Sequence, residues 1–471
     1  MQLFVRDRAF YRSLLAIAIP VALQNLISFG VSMLDSIMLG ALGDIPLSAS
    51  SLANQPTFVF QVFVFGVCSG SSVLTAQYWG KRDMDAIQLV FGMALKVAVA
   101  VSVLFSAVMF FFPREIMCIY TDEQPVIDAA IDYMRLIAGA NLLMGVASVF
   151  SQLLRSVEVV QAALVAAIVS LFVNGGMNYV LIFGVPALGI PAMGIVGAGY
   201  ATMIARAVEF GAVVLYTFCF EKKIRLRLSR MLRNSKIMWK DFLRLATPVA
   251  FNELMWSLGT SLQAIVIGRL GSAMVSANSI ASVVNQLATI FIWGIAHASS
   301  ALIGKTIGAN QPERAKRYAV TLQTLCVITG VLAFFIVLLI KAPVISLYNI
   351  SDAARAYADQ LLTVTAVIEF FIAYTAPCLV GILRGGGDVK FVMVMDIIFL
   401  WCFTTPIGFI TGLGLKWAPW LVFFLMKSDE IIKSFIAFFR LRSGKWVRNI
   451  TREDIGLAPA EAASGDPSRG N

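Results

Sequence analysis

Charge, histidine and strand-like alternation are all scarce in this sequence. Only 14% of its 471 residues are charged, 59% are hydrophobic, and His297 is the one histidine in the chain. Soluble domains average about 25% charged and about 45–50% apolar residues, so a water-soluble globule is excluded as the bulk of this protein. No alternation of lumen-facing and lipid-facing residues marks a barrel, which leaves helices as the way to satisfy backbone hydrogen bonds in lipid. The six cysteines, Cys68, Cys118, Cys219, Cys326, Cys378 and Cys402, are scattered without a CxxC spacing. That excludes a disulfide framework or zinc site and leaves them as small packing residues. The start, MQLFVRDRAFYRSLLAIAIP, has no small-residue cleavage site after a short apolar core and reads as a cytoplasmic tail entering a retained span. A glycine run at 385–387 lacks the GxxxxGK[ST] spacing of a phosphate loop. Neither a Ser/His pairing nor HExxH is present, so no enzyme and no cofactor are expected.

Long apolar runs are what the chain does have. A span needs about 20 apolar residues, and the runs predict twelve. The first six fall near 14–40, 46–79, 86–112, 125–154, 161–184 and 194–219; the second six fall near 241–268, 274–307, 314–340, 355–383, 390–412 and 416–439. The fold class is therefore an all-α polytopic membrane protein with twelve transmembrane helices. The net charge of +10 gathers in a few short loops, richest at 221–244 with Lys222, Lys223, Arg225, Arg227, Arg230, Arg233, Lys236, Lys240 and Arg244. Arg6, Arg8 and Arg12, then Lys81 and Arg82, then Arg314, Lys316 and Arg317, and finally Arg440, Arg442, Lys445 and Arg448 fall on the same side. The positive-inside rule makes that side cytoplasmic, with both termini inside a plasma (inner) membrane. Lipid headgroups of the bilayer, and no nucleic acid, are then the neighbours of the basic loops. The organisation expected is an N-terminal lobe over 1–220, a basic cytoplasmic linker over 221–244, a C-terminal lobe over 245–450 and a disordered polar tail over 451–471.

The two lobes repeat each other. A shift of 228 positions aligns Pro20 with Pro248, Gly40 with Gly268, Gly43 with Gly271, Gly66 with Gly294 and Gly80 with Gly308. Further on, at a shift of 229, Leu154-Arg155 meets Leu383-Arg384. Six spans precede the second copy, so both copies have one orientation and a two-fold axis runs along the membrane normal, with a substrate cavity between the lobes. The copies differ in charge. Gln263 stands where the first has Asp35, and Glu253 stands where the first has Asn25.

Several stretches, in order, resemble the multidrug and toxic compound extrusion (MATE) family. LDSIMLG resembles its VDTxMxG element, LLRSVE (153–158) and ILRGGGD (382–388) its paired LRS/LRG loops, and NGGMNYVLIFG (174–184) with PAMGIVGAGYATMIAR (191–206) its fifth and sixth helices. GKTIGANQPERAKR (304–317) resembles the loop after its eighth helix. The resemblance implies two pseudo-symmetric six-helix bundles set in a V, and a monomeric transporter exporting amphipathic, often cationic compounds in exchange for H⁺ or Na⁺. A lipid-linked oligosaccharide flippase of the wider superfamily is the alternative. Mainly acidic charge inside the spans favours cationic cargo.

Asp35 leads the candidate site. An acid at membrane depth is a functional hypothesis by default, against the plainer reading of a carboxylate that only holds packed helices together. The resemblance gives it partners: Asn174 and Asn178, four apart and so on one helix face, and Thr202. Carboxylate and neutral oxygens suit a proton relay or a Na⁺ cage. Asn178 departs from the archaeal DinF-type members, which have a second aspartate there. In the second lobe Glu253 stands where NorM-type members place a cation-binding glutamate, so the site for the coupling ion, where that ion is Na⁺ rather than H⁺, is Asp35 or Glu253. Glu369 stands about one turn early for that branch's aspartate, and Asp396 matches no family position; either serves structure or a cationic substrate. Pro20 lacks a backbone donor and is a bending point. Gln24, Trp256, Phe291, Trp293 and His297 are candidate cavity-lining residues, the aromatic ones as faces for cations, although aromatic residues at this density also face lipid or core. His297, as the one histidine, invites a pH-sensor reading, but a lone histidine in a helix is more often a hydrogen-bonded packing residue. Arg206 and Glu209, three apart, are expected to pair.

Overall fold

The computed structural model describes residues 4–348 and 350–456, with the side chains of Leu188 and Ser272 left out. The polar tail expected over 451–471 therefore lies mostly outside the described residues. The first lobe runs through α1 (Arg8–Gly40), α2 (Asp44–Lys81), α3 (Met84–Phe111), α4 (Pro113–Tyr120), α5 (Gln124–Ser156), α6 (Gln161–Phe183) and α7 (Gly194–Leu215). A short α8 (Leu228–Met231) lies in the linker. The second lobe runs through α9 (Lys236–Arg269), α10 (Ser272–Gly308), α11 (Pro312–Ser346), α12 (Asp352–Ala376), α13 (Val389–Ile397), α14 (Thr405–Gly408), α15 (Pro419–Lys427) and α16 (Asp429–Arg442). Wide π turns, Pro377–Leu383, Ile398–Thr404 and Phe409–Gly414, extend α12, α13 and α14.

Ten of these helical runs are long and apolar enough to cross a membrane, counting α12 and α13 with their π extensions. The two remaining spans of the twelve are α9 and the α15–α16 pair, which carry more charge than the rest. Glu253 sits within α9, and Lys427, Asp429, Glu430 and Lys433 cluster where α15 meets α16. α15, PWLVFFLMK, is apolar but ends after nine residues, and the pair is a span interrupted at Ser428, whereas α9 is one long helix diluted by polar residues. Pro20 and Pro248 occupy equivalent places inside α1 and α9, and each helix continues through its proline.

The linker is not a free strand. Ile224, Leu226 and Met231 are buried in the first lobe's core, and Glu221 accepts backbone N–H bonds from Lys223, Ile224 and Arg225 at 2.7–3.2 Å. α9 begins at Lys236, inside the stretch read as linker, with Ser235 capping the N–H of Met238. Residues 443–456 are also placed. Trp446 is fully buried against Gly386, the Arg448 N–H donates to the Gly386 carbonyl at 2.9 Å, and Gln77 of α2 bonds both Arg448 and Ile450. Arg452 then pairs with Asp241 at 2.9 Å. This segment straps the second lobe to the first and corrects the expectation of a disordered tail as far as residue 456.

At the linker end the lobes are closed on each other. α2 packs on α9 and α10, and α1 packs on α10. The contact is two-fold and is made at glycines: a Cβ at Gly80 would stand 1.9 Å from the Lys305 carbonyl oxygen, and one at Gly308 would stand 1.8 Å from that of Gln77. Gly66 and Gly70 meet Ala250 and Ala246 in the same way, and Gly294 meets Ala18. The ion pairs that cross here, Lys305–Glu158 at 2.6 Å and Arg314–Asp7 at 2.8 Å, are partly exposed. Such pairs contribute about 0–1 kcal/mol, so backbone contact through glycine is the stronger constraint. Asp7 also caps α1 through the Ala9 N–H, and that bond with the Arg314 guanidinium holds its carboxyl below the usual range.

Gly308→Val follows as a test of this closure. Overpacking costs about 1–3 kcal/mol, enough to move a two-state equilibrium by about 5–150-fold. Spin labels at positions 222 and 316, on opposite lobes at this end, are expected to show a longer-distance population in the variant. An unchanged distance distribution would mean the glycine contact does not hold the end shut.

The far end is open. Ile17, Ala18 and Val21 of α1 pack with Ala298, Ala301 and Leu302 of α10. Ser28 and Ser32 stand eleven positions beyond Ile17 and Val21, about three turns and so on the same face. Yet Ser28, Ser32 and Ser36 are exposed, each donating its hydroxyl to the carbonyl one turn back at 2.9–3.2 Å. A Cβ at Gly30 or Gly268 would meet nothing within 4 Å. The face that seals the lobes at one end thus becomes a polar wall at the other. A hydroxyl row at membrane depth belongs on a water-filled cleft rather than against lipid.

Candidate functional site

Asp35 lies on α1 one turn before its end, partly buried, where α1 packs on α6. α6 is built from small residues on this side, and it places Asn174 and Asn178 one turn apart. The Asn178 amide nitrogen donates to Asp35 Oδ1 at 2.5 Å and to Asn174 Oδ1 at 3.1 Å. Both asparagines are fully buried, and Asn178 Oδ1 is buried without a donor. Three of the four N-lobe residues singled out in the sequence therefore form one chain of hydrogen bonds. Thr202 lies on α7, which packs on α6, but no hydrogen bond joins it to the other three among the described residues. Arg206 and Glu209 pair at 2.6 Å on the next turn of that helix, as the spacing predicts.

The counterpart of Asp35 behaves differently. Gln263 is buried and donates to Thr404 Oγ1 at 3.1 Å, a neutral contact between α9 and the π turn before α14. The carboxylates of this lobe gather elsewhere, and most of them are compensated by Arg384 and Lys433. Arg384, only 3% exposed, donates to Glu253 Oε1 at 2.7 Å and stands 3.9 Å from Asp396. The Asn252 amide also donates to Asp396, at 3.1 Å. Lys433 of α16 reaches Asp429 at 2.8 Å, Asp396 at 3.4 Å and Glu430 at 3.7 Å. Glu369 is fully buried, accepts from the Asn285 amide, and leaves its second oxygen without a partner. Glu430 accepts from the Thr375 hydroxyl.

Glu253 thus holds a guanidinium where a coupling cation was expected, and Asp396 is shared between Arg384 and Lys433. Sequence reasoning named Glu253, Glu369 and Asp396 but missed the cations that pair with Glu253 and Asp396. One signal was available: Asp429, Glu430 and Lys433 stand at ion-pairing helical intervals in the twelfth span. The other was the alignment of Arg384 with Arg155, which marks an arginine in each lobe.

Of the candidate lining residues, Gln24 accepts from Arg155 Nη2 at 2.7 Å. His297 sits where α10 meets α2, its ring 6.0 Å from that of Phe65 and 6.3 Å from that of Trp293. Trp256 and Phe291 are 46% and 65% exposed and pair with no other ring among the described residues.

The family model for MatE matches residues 20–180 and again 248–410. The chain belongs to the MatE family. The two matches start 228 positions apart, at Pro20 and Pro248, which is the shift of the internal repeat. Relatives include an uncharacterized transporter YisQ of Bacillus subtilis (strain 168), 22% identical over 94% of this chain and 96% of its own length. A probable multidrug resistance protein NorM of Thermotoga maritima is 25% identical over 94% and 95%. A solved MATE in the straight conformation covers 92% of this chain and 96% of its own with a TM-score of 0.82 at 18% identity. An outward-facing multidrug resistance MATE transporter superposes with a TM-score of 0.81 at 18% identity, with the same coverage. These establish the twelve-helix, V-shaped MATE fold for this chain, a multi-pass membrane transporter of the efflux type.

Proposed function

We propose that this MATE transporter is a secondary-active multidrug antiporter that exports amphipathic organic cations in exchange for H⁺ or Na⁺, and that the N-lobe couples the ion. The observation that carries the proposal is the Asp35–Asn178–Asn174 chain, set on α1 and α6 beside the open, serine-lined cleft. An ionised Asp35 accepts from the Asn178 amide, as here. A protonated Asp35 keeps a carbonyl oxygen to accept from Asn178 and gains an O–H donor, for which the free Asn178 Oδ1 is a nearby acceptor group. Protonation thereby removes a charge and adds a hydrogen-bond donor inside the contact between two helices. For Na⁺ the same pocket offers a carboxylate and neutral amide oxygens, the ligand chemistry of a hard cation.

In the C-lobe Glu253 and Asp396 are occupied by Arg384 and Lys433, which favours a structural or cargo-facing role over ion exchange for those two acids. Coupling requires only that ion and cargo prefer different arrangements of the lobes. The closed end carries the basic linker, so the cleft opens outward in this state under the positive-inside rule. Relatives named as probable multidrug resistance proteins support the cargo class.

Efflux of ethidium from vesicles holding the purified protein tests the proposal. Efflux above the ungraded baseline is expected when a pH gradient or a Na⁺ gradient is imposed. Absence of efflux under both gradients, with lipid-linked oligosaccharide translocated instead, would replace the antiporter by a flippase.

A further inference from the structure

The duplicated arginines of the two lobes have different surroundings. Arg384 meets two carboxylates, Glu253 and Asp396. At the repeat's shifts the matching first-lobe positions are Asn25 and Ala167, neither of them acidic. Arg155 accordingly forms no ion pair among the described residues, and its one hydrogen bond goes to the neutral Gln24. A guanidinium remains charged in any protein environment, and burying it without an anion is costly. Four of its five N–H donors are left over.

Those donors face a cavity of about 20 Å³ between the lobes. Ser69 and Gln152 line it from the first lobe, and His297 and Ser300 from the second; no carboxylate does. None of these four side chains donates a hydrogen bond elsewhere among the described residues. Such a volume holds about one water, or the single charged atom of a larger group. The place is the floor of the cleft, because Gln24 stands one turn below Ser28, where the exposed serine row begins.

We propose that Arg155 anchors an anion site at the cleft floor, which takes the negatively charged group of a zwitterionic cargo or a free inorganic anion. The first source rests on the efflux reading above; the second does not. Donors from both lobes surround the charge, so an occupied site bridges α5 of one lobe to α10 of the other and favours the state closed at the linker end. The remaining donors are neutral, so specificity would come from one charge-assisted contact rather than from a basic field.

Two dyes that differ in one group separate the outcomes. Rhodamine B carries a free carboxylate and is a zwitterion; its ethyl ester is a cation. Equilibrium binding to the purified full-length protein is expected to favour rhodamine B by at least about tenfold, the contribution of a charge-assisted hydrogen bond. Arg155→Gln should erase the preference and leave the ester's affinity as it was. Asn25→Glu should do the same with Arg155 intact, by supplying the carboxylate that Glu253 gives Arg384, and it decides the matter if Arg155→Gln does not fold. The free-anion source is read by thermal unfolding in chloride against gluconate at matched ionic strength. A higher midpoint in chloride for the wild type, absent in Arg155→Gln, assigns the site to a free anion. Equal binding of both dyes together with no Arg155-dependent chloride effect overturns the site. If neither dye binds, the organic-cation reading fails, and the chloride comparison alone decides for or against the anion site.

Discussion

Asp35→Asn should reduce gradient-driven efflux to the ungraded baseline, a loss of at least about tenfold, within the usual 5–150-fold range of a coupling free energy. The reason is specific to the site. The substitution keeps the side chain's shape and leaves an oxygen to accept from Asn178, so the α1–α6 contact survives. What disappears is the exchangeable charge. Thermal unfolding should therefore change little while transport is lost, and this separation distinguishes a coupling residue from a packing one. Asn178→Ala should lose transport too, with some loss of stability, since Asp35 and Asn174 would each lose a hydrogen bond. Full-rate efflux by Asp35→Asn under both gradients would remove Asp35 from the mechanism and leave its hydrogen bonds as helix packing.

Arg384→Met is expected to have the largest effect on stability. The arginine is almost wholly buried and stands between Glu253 and Asp396. Removing one partner of a buried ion pair costs about 3–5 kcal/mol, because the remaining carboxylates stay desolvated and lose their counter-charge. Asp396 retains Lys433 and Asn252, so Glu253 bears most of the loss. Adding Glu253→Gln to Arg384→Met should recover much of the stability, and the cycle of single and double variants gives the pair's own interaction energy. A single variant that unfolds within about 1 kcal/mol of the wild type, well below that range, would show the pair to be hydrated rather than buried.

These two sites mark how far the sequence could be read. The twelve spans and the duplication were legible because hydropathy and the register of Pro20, Gly66 and Gly80 are local properties of the chain. Asn174 and Asn178 were legible as a pair because helical spacing sets them on one face, and the hydrogen bond to Asp35 then follows from α1 meeting α6. Pairing between distant spans was not. Whether Glu253 binds an external cation or an internal arginine depends on where α9 and the end of α12's π turn meet, about which no local pattern informs. The same limit hid the C-terminal segment. Residues 451 and 452 fell in the stretch read as a disordered tail, and nothing local in 446–450 announced the bonds that Gln77 of α2 and Gly386 supply to its backbone. Thr202 shows the opposite case: a resemblance named it, and the packing gives it no bond to the group it was to join.

The strap formed by residues 446–452 has a consequence for biosynthesis. It leaves the ribosome after every membrane helix, so each lobe is inserted before the segment that joins them is made. The lobes can therefore settle their internal packing while still free to move against each other. The strap's own partners, the Gly386 carbonyl and the Gln77 amide, come from opposite lobes, so its bonds need both lobes in place. The segment that clamps the two lobes is thereby made after the helices it clamps.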